Sequence, residues 1–390
     1  MQTEATSANA QWYSAGQEMF AAMLAAIEAA QESICLETYI FAPGPLGERF
    51  RHALTQARLR EARVRVLIDA LGSYGLAADY WRPLEAAGGE VRQFNPLSLH
   101  RCSIRNHRKL MVCDRQVAFI GGFNISSEYE GDGISSGWCD LGLRIAGTLA
   151  AQLETSFDEM FARADFLHRR FVRLRKSGAR KVMLLPHEQL LLSGPGRGRN
   201  PINRALRLDL ACARSVQIMV AYFLPTWRLR RQLVRIARNG CRVQLLLPGK
   251  SDVAVSLLAA QSLYRRMLKG GVEVYEYQPQ ILHAKLIIID DVVYVGSANL
   301  DQRSLAINYE LMVRFESREM AAQAREVFGR NLQHSRRLTL EIWAKSRSFW
   351  RRLKQRWAYL LLVRLDPYIA RWQWRSLARP THAVRGSKAP

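Results

Sequence analysis

The sequence predicts an α/β protein made of two pseudo-symmetric α/β/α sandwich halves, with an active site between them and a basic, aromatic helical tail behind them. Three observations support this prediction. A His-x-Lys-x4-Asp pattern occurs twice, the segments around it repeat at an offset of 170 to 183 residues, and strand-like segments alternate with helix-like ones. An offset of this size corresponds to a domain rather than to the short period of a solenoid.

The first half is expected to span residues 1–165. Its helix-like segment GQEMFAAMLAAIEAAQ is followed by the apolar ICLETYI, the helix-like ERFRHALTQARLR and the apolar RVRVLID. Short apolar runs rich in β-branched residues predict strands. Because helices separate these runs, a mostly parallel sheet is predicted in each half.

The second half is expected to span residues 205–335. In it, RVQLLLPGKSD at 242–252 resembles RVRVLIDALGS at 63–73. With 48% apolar residues in the chain, each half can bury a core of its own. Between the halves, residues 166–204 are basic and rich in Gly and Pro, and they are predicted to form a linker or loop.

The two motifs are HRKLMVCD, from His107 through Lys109 to Asp114, and HAKLIIID, at the corresponding positions 283–290. A single match would be weak, because His107 could simply belong to a basic loop. Its repetition favours one shared site. At the start of a strand, a His and a Lys two residues apart point to the same face, so both side chains can reach one phosphate.

This duplicated set suits the chemistry of a phosphodiester. Lys109 and Lys285 can neutralise the two charged oxygens, while one of the two histidines, His107 or His283, attacks the phosphorus and the other protonates the leaving oxygen. A histidine metal site is disfavoured, because each motif places a cation beside the supposed ligand.

The surroundings of the motifs carry a family resemblance. GGFN, ending at Asn124, and GSAN, ending at Asn299, follow the two motif strands. With these segments the motifs resemble those of the phospholipase D superfamily over roughly residues 10–335. More narrowly, ICLETYIF, AYFLP, LYRRMLKGGVEVYEY and GSANLDQRS are similar to bacterial cardiolipin synthases of the short form without N-terminal membrane spans.

The resemblance implies a covalent phosphohistidine intermediate and the use of no metal or organic cofactor. It implies that His107 is the nucleophile and that His283 is the general acid and then the general base. The side chains expected to contact the phosphate oxygens are those of Lys109, Lys285, Asn124 and Asn299.

Two acidic residues at corresponding positions complete the expected site. Asp140 in CDLGLR matches Glu310 in YELMVR, and the resemblance implies that each orients a histidine of the opposite half. The alternative is a surface ion pair with Arg144 or Arg314.

Three further carboxylates accompany the motifs. Asp114 and Asp290 end their strands and are expected to hold the motif loops rather than to react. Glu37 lies in an apolar strand, where an unpaired carboxylate would be costly. We expect it either to form hydrogen bonds near the site or to serve the structure alone.

The net charge and the composition of the C-terminal tail indicate what the protein binds. The net charge of +23 indicates a polyanionic partner, either nucleic acid or an anionic membrane surface. In the tail, residues 336–390, Trp343, Trp350 and Trp357 recur every seven residues among arginines. This pattern predicts an amphipathic helix that associates with membranes. The alternatives are an ordinary amphipathic helix packed on the domain and a nucleic-acid-binding arm.

The resulting functional hypothesis is a phosphatidyltransferase that makes cardiolipin and glycerol from two phosphatidylglycerol molecules. Anionic phospholipids are the expected partners and nucleic acid is disfavoured. The alternative is a hydrolase or nuclease of the same superfamily. Six cysteines without Cys-x-x-Cys spacing, no signal-like N-terminus and no apolar run of about 18 residues predict a peripheral protein on the cytoplasmic side of the cell inner membrane.

Overall fold

The computed structural model describes residues 10–96, 104–164, 180–185, 187–195, 199–345 and 348–365. The strands are β1 (Ala10–Tyr13), β2 (Ser33–Thr38), β3 (Arg63–Asp69), β4 (Glu90–Phe94), β5 (Leu110–Cys113), β6 (Val117–Gly121), β7 (Gly142–Ala146), β8 (Lys181–Leu184), β9 (Glu188–Ser193), β10 (Ser215–Val220), β11 (Arg242–Pro248), β12 (Glu273–Tyr277), β13 (Lys285–Ile289), β14 (Val292–Gly296), β15 (Glu310–Glu316) and β16 (Ser335–Leu338). The helices are α1 (Gly16–Ala29), α2 (Pro45–Leu59), α3 (Arg82–Ala86), α4 (Thr148–Ala162), α5 (Pro201–Asp209), α6 (Trp227–Arg238), α7 (Ala254–Lys269), α8 (Gln302–Ala306), α9 (Arg318–Gln333), α10 (Leu340–Lys345) and α11 (Phe349–Leu360), with a 3-10 turn at Ser127–Tyr129 and a π-helical turn at Leu361–Leu365.

The two halves predicted from the repeat are present as two related sheets. The first sheet has seven strands in the order β1-β7-β6-β5-β2-β3-β4, and the second has nine in the order β16-β12-β11-β10-β13-β14-β15-β9-β8. The six strands from β7 to β4 in the first order correspond to those from β15 to β12 in the second. The α/β class and the two-half architecture are therefore confirmed.

The prediction of a mostly parallel sheet is wrong. Among the strand pairs of the described residues, only β2–β3 and β3–β4 of the first sheet and β10–β11 and β11–β12 of the second are parallel. The remaining pairs that form the two sheets are antiparallel. Short turns rather than helices join the motif strands to the strands that follow them, and a short turn can connect only antiparallel neighbours.

The core forms three layers. A central apolar cluster runs between the two sheets and includes Val112, Ile120, Ile288 and Val295. A second cluster lies beneath α5, α6 and α7, and a third beneath α1 and α2. Because the central cluster is shared, burial of apolar surface holds the two halves against each other.

The range 166–204, predicted to be a linker, contributes to the second sheet. β9 pairs antiparallel with β15, and β8 pairs with β9. Leu190, Leu191 and Leu192 are buried, and α5 begins at Pro201, inside the same range. The flanking basic and Gly-rich composition masked a short apolar hairpin. Residues 166–179, 186 and 196–198 of this range lie outside the described residues.

The tail also differs from the predicted single stripe of tryptophans. Trp343 in α10 is 3% exposed and packs its ring 5.0 Å from that of Tyr264. Trp350 and Trp357 in α11 are 69% and 66% exposed. A spacing of seven residues places the three tryptophans on one face only if a single helix carries all of them. Here they are divided between two helices, α10 and α11. Residues 366–390 lie outside the described part of the chain.

Helix α11 packs on α7 through polar contacts and through Ala358, which is buried in the second apolar cluster. Gln355 is fully buried, and both it and Arg351 donate to the side-chain oxygen of Gln261 at 3.3 Å. The apolar side chains of Phe349, Trp350, Leu353 and Trp357 are left exposed. Within the described ranges, no helix combines the length and apolar content needed to cross a bilayer.

Candidate active site

Each motif histidine is positioned by backbone contacts with the opposite half. The N–H of His107 donates to the carbonyl of Tyr309 at 3.0 Å, and the N–H of His283 donates to the carbonyl of Cys139 at 2.7 Å. Isolated parallel bridges join Asn106 to Tyr309 and Cys139 to Leu282. The two motif segments therefore meet where the halves face each other, in one site.

The second histidine lies against the acid of the first half. Asp140 Oδ2 is 2.6 Å from His283 Nδ1, and both side chains are buried. Lys285 Nζ lies 2.7 Å from the same nitrogen. Gly122 provides room for the carboxylate, because a Cβ there would lie 2.0 Å from Asp140 Oδ1. This contact fixes the orientation of the imidazole and leaves Nε2 for chemistry.

The first histidine lies against the acid of the second half. His107 Nδ1 is 3.1 Å from Glu310 Oε1, and Ser297 Oγ donates to Glu310 Oε2. The alternative of an ion pair between Glu310 and Arg314 is wrong, because Arg314 pairs with Asp209 and Glu316. Lys109 Nζ donates to the carbonyl of His107 at 2.8 Å.

The electrostatics favour neutral imidazoles. Burial lowers the pKa of His107 well below 6.5, and the charges of Lys109, Lys285 and His283 lower it further. Burial also lowers the pKa of His283, as does Lys285, whereas the carboxylate of Asp140 raises it. The ionised Asp140 therefore helps His283, rather than His107, to hold a proton.

The pKa values of the two acids are shifted in opposite directions. Burial alone would raise the pKa of Asp140, but Lys285 and His283 outweigh burial and lower it. Burial raises the pKa of Glu310 to about 8, despite the opposing charge of Lys109. Asp140 is therefore ionised near neutral pH, whereas Glu310 holds a proton more tightly than Asp140 does.

The motif lysines are buried ammonium groups in the same site. Burial lowers the pKa of Lys109 to about 7, with a further lowering by Lys285. Burial lowers the pKa of Lys285 to about 8, although Asp140 and Glu310 raise it. A group that binds here with negative charge would raise both pKa values and restore the full charges.

The two asparagines lie on loops beside the motifs. Asn124 Oδ1 accepts the N–H of Ile40 at 3.1 Å, and its amide nitrogen donates to the hydroxyl of Tyr129 at 2.7 Å. Asn299 Oδ1 accepts the N–H of Tyr222 at 3.2 Å. Each asparagine thus ties the end of its motif hairpin to the loop that follows β2 or β10.

The motif aspartates lie at the turns after β5 and β13, away from the imidazoles. Asp114 accepts three backbone N–H groups, from residues 31 to 33, at 2.8 to 2.9 Å. Asp290 accepts the N–H groups of Arg214 and Ser215 at 3.1 and 2.9 Å. Both adopt positive φ, 52° and 48°, a region that aspartate tolerates better than most residues.

Glu37 lies below the first motif in a buried polar network. Its Oε1 accepts from Asn106 at 2.7 Å, and its Oε2 is 3.1 Å from Arg108. Burial raises the pKa of Glu37, while Arg108 lowers it. Because Asn106 precedes His107, this network supports the backbone that carries the first histidine.

Several aromatic contacts were missed by reasoning from the sequence. The ring of Tyr39 lies 5.1 Å from His107, and the rings of Tyr129 and Trp138 lie 5.4 and 5.6 Å from His283. Tyr129 and Trp138 are in the segment between β6 and β7, for which the repeat offered no counterpart. Ser297 could have been found, because it aligns with Gly122 in the repeat.

A cluster of potential metal ligands lies away from the histidines. Ligand atoms of Cys35, Glu154 and Asp158 come within 4.8 Å of one another. Arg65 contacts all three, at 2.6 Å to Asp158, 3.3 Å to Glu154 and 3.1 Å to the sulfur of Cys35. The guanidinium supplies the positive charge of this cluster, which is an ion-pair network.

A family model described as a cardiolipin synthase, phospholipase D-like domain, matches residues 23–161 and 207–332. The chain belongs to the cardiolipin synthase family. It is therefore a phosphatidyl-group transferase of the phospholipase D type. A cardiolipin synthase of Listeria innocua is 31% identical over 353 residues, which cover 89% of this chain and 73% of that protein. The major cardiolipin synthase ClsA of Bacillus subtilis is 32% identical over 365 residues, with the same coverage of each chain.

Solved structures of proteins with much lower sequence identity share this fold. The crystal structure of phosphatidylserine synthase from Haemophilus influenzae aligns with a TM-score of 0.72 at 14% identity, over 93% of this chain and 94% of that one. Polyphosphate kinase from Porphyromonas gingivalis aligns with a TM-score of 0.58 at 14% identity, over 85% of this chain and 49% of that one. At such identities the likeness concerns the fold alone.

Proposed function

We propose that this protein makes cardiolipin and glycerol from two phosphatidylglycerol molecules through a phosphohistidine intermediate. The observation that carries the proposal is the paired site, in which His107 and His283 come from different halves and each contacts an acid of the other half. Such a site has two imidazoles and two ammonium groups for one phosphodiester. The similarity to cardiolipin synthases supports this choice of substrate.

In the first step, Nε2 of His107 attacks the phosphorus of the donor phosphatidylglycerol. The bond between phosphorus and the headgroup glycerol oxygen breaks, and His283 gives a proton to that oxygen, so glycerol leaves. The phosphatidyl group is then bound to His107. Lys109 and Lys285 neutralise the charge on the phosphate oxygens, which is greatest in the transition state. Asn124 and Asn299 are proposed to contact the same oxygens.

In the second step, the terminal hydroxyl of another phosphatidylglycerol attacks the phosphohistidine. His283 removes the proton of that hydroxyl, the phosphorus–nitrogen bond breaks, and cardiolipin forms with both imidazoles restored. This order is supported by the pKa directions. The imidazole of His107 is the more strongly held neutral, as a nucleophile requires, whereas the ionised Asp140 favours a proton on His283.

An apolar recess beside the site supports a lipid rather than a nucleic acid. This recess, of about 160 Å³, is lined in part by Tyr222 and Leu224 of the second half and by Leu362 and Val363 of the tail. The N–H of Tyr222 contacts Asn299, so the recess adjoins the proposed phosphate site. An acyl chain gains by leaving water there, whereas a nucleotide would not.

The tail supports residence at a membrane surface. Helix α11 exposes Phe349, Trp350 and Trp357, and arginines and one lysine flank these rings in the sequence. Aromatic rings favour the headgroup boundary, and cations favour anionic lipids. We propose that α11 contacts the bilayer and that the protein is peripheral, on the cytoplasmic side of the bacterial inner membrane.

The proposal is tested by mass spectrometry of the products formed from phosphatidylglycerol vesicles. Wild type should yield cardiolipin and glycerol in equal amounts, whereas His107→Ala and His283→Ala should yield neither. His52→Ala, which alters an exposed histidine of α2, is the matched control and should retain activity.

Two other results would change the conclusion. Phosphatidic acid without cardiolipin would indicate a hydrolase with the same histidines. Absence of any lipid product, together with cleavage of single-stranded DNA that His283→Ala abolishes, would establish the nuclease alternative suggested by the net charge of +23.

A further inference from the structure

A strongly basic groove lies on the outer side of the second half, between helices α6 and α7. It has a volume of about 690 Å³ and is lined by six cationic side chains. These are Arg231, Arg235, Arg238, Arg265, Arg266 and Lys269, and we call this set the basic groove. Its other lining residues are Val234, Asn239 and Ser262.

Within the described part of the chain, the cations of the basic groove have no acids to balance them. None of its lining residues, all of which are described, is acidic. Among the described residues, no carboxylate forms an ion pair with any of the six. Some helical arginines elsewhere do pair with acids, as Arg51 with Glu48 and Arg325 with Asp291. Neither α6 nor α7 contains an Asp or a Glu.

Helix ends explain part of this arrangement. Arg235 and Arg238 lie in the last turn of α6, and Arg266 and Lys269 in the last turn of α7, where cations interact favourably with the helix dipole. That effect applies to each helix separately. It does not explain why two such ends face one cavity, or why Arg231 and Arg265 extend the cluster along it.

The basic groove is separate from the active site. Helix α6 begins after Thr226, near Leu224, whose N–H donates to the carbonyl of Leu300 beside the second motif. With a rise of about 1.5 Å per residue, the groove residues of α6, from Arg231 to Arg238, lie about 8 to 18 Å further along the helix axis. Anions bound in the groove would therefore not compete with the phosphodiester at the histidines.

We infer that the basic groove binds the phosphate headgroups of anionic phospholipids in a bilayer, as a docking site distinct from the reaction site. Five guanidinium groups and one ammonium group converge on one cavity, and guanidinium forks match phosphate oxygens in a bidentate manner. Anionic headgroups would remove the repulsion among the six cations. The cavity is large enough for a headgroup with its glycerol.

Two features favour a bilayer over a nucleic acid. The groove lining contains no aromatic ring on which bases could stack, and all of its residues are described. The same helix layer carries α11. Arg230 of α6 lies 5.5 Å from the ring centre of Tyr359, and Gln355 of α11 contacts Gln261 of α7. The exposed tryptophans and the groove therefore belong to one helical layer, as a membrane-contacting surface requires.

The test is sedimentation of the full chain with vesicles of phosphatidylcholine alone, or of phosphatidylcholine with about one third phosphatidylglycerol. The groove variant combines Arg235→Gln, Arg238→Gln and Arg265→Gln. The control combines Arg82→Gln, Arg318→Gln and Arg330→Gln, which remove the same charge from exposed positions on α3 and α9. Far-UV circular dichroism and thermal unfolding verify that each variant is folded.

Partition of the groove variant onto the anionic vesicles should fall at least about tenfold at physiological salt, because each cation near an anionic surface contributes substantially to binding. The control should lose much less, and neither set should change binding to phosphatidylcholine. Turnover of a detergent-dispersed substrate should be unchanged in the groove variant, so a failure of the docking site is distinguishable from a failure of the proposed reaction.

Three results would overturn the inference. Equal losses in the groove and control variants would show that overall charge alone attracts the protein to the vesicles. Displacement from vesicles by millimolar inorganic phosphate at constant ionic strength would identify free phosphate as the ligand. Tighter binding of single-stranded DNA than of anionic vesicles, lost in the groove variant, would identify a nucleic-acid site.

Discussion

Replacing the second motif lysine with methionine should stabilise the protein while abolishing its activity. Lys285 is a fully buried ammonium group, and burial lowers its pKa from 10.5 to about 8. A folded-state pKa below the unfolded value means that the unfolded chain binds the proton more tightly. The folded state therefore bears a penalty that is complete below pH 8 and vanishes above pH 10.5.

The size of the effect follows from these two values. At about 1.4 kcal/mol per pH unit, the gap between 10.5 and about 8 corresponds to about 3 kcal/mol. Lys285 also donates to the carbonyl of His283, and loss of that hydrogen bond removes about 1 kcal/mol of the gain. We expect Lys285→Met to raise the free energy of unfolding by about 2 kcal/mol at pH 7.

The assay is denaturant unfolding at pH 7 and again at pH 10.5. The advantage of the variant should shrink towards zero at the higher pH, whereas kcat should fall at least about 100-fold because a charge that stabilises the transition state is lost. Lys345→Met, at a side chain that is 78% exposed, should change stability by less than about 0.5 kcal/mol at either pH. A destabilised Lys285→Met, or a gain that does not depend on pH, would refute the reasoning.

Three other outcomes are expected. For the wild type, kcat/KM should decline as pH rises past 7 to 8, because burial lowers the pKa values of the two motif lysines to about 7 and about 8. The decline of kcat should lie at higher pH, since a bound phosphodiester raises both pKa values. A flat kcat/KM from pH 6 to 9 would contradict this expectation. The double variant Trp350→Ala, Trp357→Ala should sediment less with anionic vesicles while its thermal stability is unchanged. In contrast, Trp343→Ala should lower the free energy of unfolding by about 3 kcal/mol. Similar stability losses in the double variant and in Trp343→Ala would mean that the exposed rings are packing elements. Asp114→Ala should lower that free energy by about 2 kcal/mol, measured by denaturant unfolding, because three backbone hydrogen bonds are lost, and unaltered stability would show that the turn holds without them.

The repeat made the two-half fold predictable, but not the direction of its strands. Helix-like segments separate β2 from β3 and β10 from β11, and these pairs are parallel as expected. The motif strands continue through short turns at Asp114 and Asp290, so their neighbours are antiparallel. The apolar hairpin β8–β9 was hidden because its pairing with β15 is a long-range contact without a local sequence signal.

In the candidate site, the motif residues and Asp140 with Glu310 could be named from the sequence, because the repeat aligns them. The burial that lowers the pKa values of the histidines, and the aromatic rings around them, could not be named. Tyr129 and Trp138 reach His283 through the connection between β6 and β7, which is longer than its counterpart between β14 and β15 and lacks the helix α8 found there. Heptad spacing likewise could not show that Trp343 belongs to a different helix from Trp350.

The exchange of carboxylates between the halves has an evolutionary consequence. Two copies of a single-motif ancestor, associated as a symmetric homodimer, would exchange the same acid across their interface, and gene fusion would make that exchange intramolecular. Once fused, the copies are free to diverge, as Gly122 beside Asp140 and Ser297 beside Glu310 have done. In a symmetric pair of identical subunits either histidine can attack, depending on the direction in which the substrate binds, whereas a fused chain can fix one histidine as nucleophile and the other as acid.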